Sequence, residues 1–166
     1  MTVFIHDASI LLDLMHVGLL RLFLTIQARM ITTDFVVREV SDIADKRELE
    51  AATTSGSLQV LASNLAELES IVTLRNAHRA LSIADCSVLF HAKRLKAEVL
   101  TGDSRLRQEA IQFGLHVHGT LWAFDELVGQ GLLGEDLAAD SLERLLAINP
   151  RLPREECERK IRRWRT

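Results

Sequence analysis

The chain has no tyrosine, and its aromatics are six phenylalanines and two tryptophans. Stacking of bases on an aromatic platform is therefore not expected to dominate any nucleic-acid contact. Two prolines and eight glycines in 166 residues argue against long disordered linkers. The only cysteines, Cys86 and Cys157, are too far apart for zinc spacing or a disulfide framework, and both are expected to be reduced. The strongest apolar stretch, Leu19 to Ile26, is interrupted by Arg21 and too short to span a bilayer. No basic region precedes the N-terminal apolar run, so a signal peptide is not expected either. These absences point to a cytoplasmic protein that does not enter a membrane.

What is present is an ordinary globular balance, 48% apolar and 26% charged, at a length suited to one domain with a proper core. The net charge of −3 is unevenly spread. Residues 151–166 carry seven basic residues (Arg151, Arg154, Arg159, Lys160, Arg162, Arg163 and Arg165) against three glutamates. The expected organisation is an acidic body over 1–150 with a basic helical extension over 151–166. That extension suits RNA phosphates, a partner protein, or docking on the body through Ile161 and Trp164.

Short β-branched runs alternate with helical patterns. Strands are expected at residues 2–6, 30–33, 58–61, 97–101 and 115–118. Helices are expected from Asp7-Ala8-Ser9, after Thr33 or Asp34, from Ser63 or Asn64 to Ala77, from Ser82 to Leu95, from Asp103 or Ser104 to Phe113, from Thr120, from Gly134, and from Arg154 to Trp164. Residues 44–56 are polar and end in a loop signal, Thr53-Thr54-Ser55-Gly56. The alternation predicts an α/β fold with a short, mainly parallel central sheet. In such sheets functional groups gather beyond the carboxyl ends of the strands.

Four acids stand where apolar runs end or helices begin: Asp7, Glu39, Asp85 and Asp103. A carboxylate in apolar company must be paired, protonated or bound to a cation. Four brought together would suit a hard divalent metal. Each also has a plainer reading. Asp7 and Asp103 fit helix caps, Asp85 fits a first-turn residue favoured by the helix dipole, and Glu39 fits a solvated helix face.

The segments VFIHDAS (3–9), TTDFVVREV (32–40), LSIADCSVLFHAKRL (81–95) and EVLTGDSRLRQEA (98–110) resemble a PIN-domain nuclease in the order and spacing of their acids. The stretches at 116–133 and 151–164 are similar to a subgroup of prokaryotic PIN proteins, many of them VapC-like toxins of toxin–antitoxin pairs. The resemblance implies an α/β/α sandwich and a metal-dependent endoribonuclease. Mg²⁺ or Mn²⁺ would be held by Asp7, Glu39, Asp85 and Asp103, with Ser9 as the accompanying hydroxyl. Phosphodiester hydrolysis suits such a set, because one or two divalent ions roughly 3.5–4 Å apart generate the nucleophile and neutralise the phosphate. Arg38, Arg105 and Arg107 are candidates for RNA phosphates. An antitoxin is a possible partner, and a homodimer is expected, with the apolar stretch Leu19 to Ile26 as a candidate dimer surface. The alternative is a non-catalytic PIN-like module that binds RNA or protein.

Overall fold

The computed structural model describes residues 1–166. Five strands form one parallel sheet: β1 (Val3–His6), β2 (Arg29–Thr33), β3 (Gln59–Leu61), β4 (Glu98–Leu100) and β5 (Val117–His118), in the order β3-β2-β1-β4-β5. β1 lies at the centre because Phe4, Ile5 and His6 are all buried, the pattern of a strand covered on both faces. Ile5 is in register with Ile31 of β2 and Val99 of β4. The chain leaves β1 toward β2 on one side, and β4 continues to β5 on the other. The carboxyl ends of β1 and β4 thus flank the topological switch point, where an open α/β sheet offers a crevice.

Helices cover the sheet as their caps and apolar faces dictate. α1 (Ala8–His16) buries Ile10, Leu11, Leu14 and Met15. A single turn, α2 (Leu20–Phe23), precedes β2, and α3 (Asp34–Glu39) follows it, with the Thr33 hydroxyl accepting from Val36 N–H. α5 (Leu65–Ala77) opens on a capping box between Asn64 and Glu67, and α6 (Ile83–Leu95) on one between Ser82 and Asp85. α6 is the central helix of its layer and packs across β1, β2 and β4. α7 (Ser104–Gln112) and α8 (Thr120–Gly129) flank β5. α9 (Glu135–Ile148) then pairs with α10 (Arg154–Trp164), whose Cys157, Ile161 and Trp164 join the common apolar core. The Trp164 ring stacks on Phe124 of α8 at 6.2 Å between centroids.

Two expectations need correction. Residues 43–54 form a helix, α4 (Ile43–Thr54), where the sequence suggested only polar chain ending in a loop. Its only fully buried side chain is Leu49, so it carries almost no apolar periodicity. It is specified instead by the Asp42 carboxylate, which accepts from Ala44 and Asp45 N–H, and by a run of good helix formers. Leu19 to Ile26 is not an exposed dimer face. Leu19, Leu20, Phe23, Leu24 and Ile26 are buried, because the turn packs against α1 and α8 rather than facing outward. No helix is long and apolar enough to cross a membrane.

Candidate metal centre

Asp7 follows β1 and occupies the N-cap position of α1, yet its side chain does not cap the helix. The carboxylate turns across the sheet edge instead. Its Oδ2 accepts hydrogen bonds from the Ser9 hydroxyl at 2.7 Å and the Thr101 hydroxyl at 2.8 Å. Those two hydroxyls in turn accept from the backbone of the loop after β4, Gly102 N–H to Ser9 Oγ at 2.9 Å and Asp103 N–H to Thr101 Oγ1 at 3.0 Å. This lattice fixes Asp103 relative to Asp7 although 96 positions separate them. Asp7 is 4% exposed, and its Oδ1 has no partner in the protein.

Asp103 caps α7 through Oδ1, which accepts from Arg105 and Leu106 N–H at 2.9 Å, leaving Oδ2 uncommitted. Asp85 fills the third position of α6, where its Oδ2 accepts from Ser82 N–H at 2.8 Å and its Oδ1 stays free. Glu39 ends α3, which is held against α6 by a buried hydroxyl pair. Ser87 donates to the Ala84 carbonyl, so the Thr33 hydroxyl donates to Ser87 Oγ at 2.7 Å.

The acids bear on one another electrostatically. Burial first, and then the charges of Asp7 and Asp103, push the Asp85 carboxyl above its usual range, against the hydrogen bonds from Ser82. Glu39 is exposed as a residue, but partial burial of its carboxyl end, with the charges of Asp7 and Asp85, raises it too, while the Ser82 hydroxyl works the other way. None of the four has a cationic side chain as ion-pair partner. No group of three or more His, Cys, Asp or Glu side chains is drawn close enough to hold an ion as it stands. The donor chemistry nevertheless fits a hard divalent cation. All donors are carboxylate oxygens, and three aspartates each keep one oxygen pinned by the protein and one free.

The arginines differ in their surroundings. Arg38 is on the solvent side, paired with Asp34 at 3.3 Å and lying over the Phe35 ring. Arg107 donates to the Thr101 carbonyl at 3.3 Å. A Cβ at Gly119 would come within 2.6 Å of its guanidinium, so that glycine makes room for it. Arg105 borders a cavity of about 520 Å³ that also exposes Asp103 and Arg151.

A second polar constellation escaped sequence reasoning. Asp13, 6% exposed, accepts from the Thr120 hydroxyl at 2.7 Å and the Asn149 amide at 2.8 Å. Burial raises its carboxyl, and these hydrogen bonds partly offset the shift. The available signal was its position three residues after Ile10 and four before Val17, on the buried stripe of α1, where a carboxylate requires partners. Its partners lie more than a hundred residues away, and no local pattern announces them.

Comparison with known proteins agrees with this architecture. A family model described as DUF3368, PIN domain, matches residues 3–166. The chain belongs to that PIN-domain family. Among solved structures it is similar to VapBC-1 from nontypeable Haemophilus influenzae, with a TM-score of 0.53 and 15% identity, over 72% of this chain and 99% of that one. At that identity the likeness concerns the fold, an α/β/α arrangement around the parallel sheet. No curated protein matches the sequence.

Proposed function

We propose that this protein is a metal-dependent endoribonuclease, and the toxin of a toxin–antitoxin pair. The observation that carries the catalytic reading is the set Asp7, Glu39, Asp85 and Asp103. Asp7 and Asp103 follow the two strands that flank the sheet's switch point, none of the four has a paired cation, and the three aspartates each keep one carboxylate oxygen without a protein partner. Asp7, Asp85 and Asp103 would hold Mg²⁺ or Mn²⁺. Bound there, the ion supplies charge neutralisation at the phosphate and a water of lowered pKa.

The remaining work falls to the chain's own groups. Ser9 and Thr101 hold Asp7 Oδ2 and leave Oδ1 without a protein partner, available to an ion. Glu39, whose carboxyl is raised by its surroundings, accepts a hydrogen bond from the attacking water and takes its proton, a task suited to a group closer to neutrality than an ordinary carboxylate. Arg105, beside Asp103, meets a phosphate of the strand. The toxin reading is supported by membership of the PIN family and by the fold it shares with VapBC-1.

The test is cleavage of single-stranded RNA with Mg²⁺ or Mn²⁺ by the wild type, Asp7→Asn and Asp85→Asn. Cleavage by the wild type alone is expected. Equal activity in all three would remove the assignment, and RNA binding without cleavage would favour the non-catalytic module. Co-purification with the product of an adjacent small reading frame tests the antitoxin, and free behaviour in its presence would count against a toxin.

A further inference from the structure

Arg151 lies in the turn between α9 and α10 and lines two adjoining cavities. The first, about 520 Å³, brings it together with Asp103 and Arg105. The second, about 470 Å³, shares Gly102, Ser104 and Arg151 with the first and continues over Arg107, Trp122 and Asn149. The basic tail as a whole does not face this way. Lys160 is held by both oxygens of Asp125, Arg165 by Asp140 and Glu143, and Arg154 pairs with Glu158. Arg151, Arg159, Arg162 and Arg163 have no ion-pair partner, and of these four only Arg151 borders the two cavities.

The turn that carries Arg151 is itself fixed to the site. Asn149 Oδ1 accepts from Arg151 N–H at 3.0 Å while its amide donates to Asp13. Asp13 in turn receives the Thr120 hydroxyl. Gly102, next to Asp103, passes over this network, where an added Cβ would stand 3.5 Å from Ser9 Oγ and 3.8 Å from Asp13 Oδ2. A guanidinium on a backbone pinned this close to the acids is placed to bind the next phosphate of a strand being cut.

We infer that the substrate strand runs from the acids into this double groove, with Arg151 as a phosphate-binding residue for single-stranded RNA. This rests on the ribonuclease reading. The Asp13–Thr120–Asn149 network is the positioning element that holds the turn. Arg151 contributes through binding rather than chemistry.

The experiment measures fluorescence anisotropy of a short labelled single-stranded RNA across a KCl series, with Asp7→Asn protein and Mg²⁺ present. Adding R151Q is expected to weaken binding about tenfold at low salt, as for loss of a charge-assisted contact. It should also reduce the slope of log K against log salt by about 0.7. R151K should regain the slope, and R159Q, which removes the same charge from elsewhere in the tail, should leave it unchanged. With Asp7 intact, R151Q should raise KM and preserve kcat. Parental binding by R151Q, or an equal loss in R159Q, would overturn the groove. Cleavage by a wild type whose KM and slope ignore R151Q would sink the groove and leave the ribonuclease standing. Arg151-dependent binding by a wild type that never cleaves would do the reverse.

Discussion

The carboxyl edge of the sheet and the C-terminal helix α10 are both charge-rich, and they treat charge in opposite ways. Of the cations on α10 and its C-cap, acids of the body pair two, Lys160 by Asp125 and Arg165 by Asp140 and Glu143, while Arg159, Arg162 and Arg163 are unpaired but exposed to solvent. At the sheet edge four acids stand without a single paired cation, and two are pushed toward protonation by burial and by one another. Paired surface charge contributes little, typically below 1 kcal/mol. Unpaired, partly buried charge of one sign costs stability, and a fold keeps it where something else binds. That difference makes the sheet edge the candidate binding face and α10 a helix held in place by packing.

The sharpest break in that comparison is chemical. Asp7→Asn is expected to lower metal-dependent RNA cleavage by at least about 100-fold, while its thermal midpoint stays at or above that of the wild type because a repelling charge is gone. A fall in both together would mean that Asp7 acts by holding Ser9 and Thr101 rather than by binding metal.

On α10 the expected weight lies in packing rather than charge. Trp164→Ala removes a ring buried against Phe124 and should cost about 3–5 kcal/mol in urea denaturation. An effect below about 1 kcal/mol would show that the helix is only loosely docked.

Next in size is the pH response of His6, the residue before Asp7. Burial lowers its imidazole from 6.5 to about 4, against the bond its Nδ1 makes to the Ile31 carbonyl. The unfolded chain therefore takes up the proton first. Its contribution to stability is complete above pH 6.5 and is lost as pH falls toward 4, by up to about 3 kcal/mol. His6→Gln should flatten the stability profile between pH 6.5 and 4, and an unchanged slope would exclude His6 as its source. The smallest effect is expected at Lys160→Gln. It removes the contact with Asp125 and should shift stability by less than about 1 kcal/mol with no loss of RNA cleavage.

Much of the fold was legible because its signals are local. Capping residues such as Ser82 and Asn64, the β-branched runs of β1 and β2 and the apolar faces of α1 and α6 all act within a few residues. α4 was not legible, since a helix with one fully buried side chain leaves almost no periodic trace. Leu19 to Ile26 showed its apolarity but not its destination, because burial depends on what packs above it. Asp7 and Asp103 look alike in sequence, as acids after a strand and before a helix. Only the structure shows that Asp103 caps its helix and Asp7 does not.

The sequence by itself determined the alternation of strands and helices, the order of the four acids and the excess of positive charge at the end of the chain. These follow from side-chain type and spacing alone. The tertiary structure decided which charges are cancelled and which are left open. That choice depends on distances between residues far apart in the chain: Thr101 reaching Asp7, Asn149 reaching Asp13, Asp125 reaching Lys160. The free energy of a charge is set by its partners, and partners are supplied by the fold.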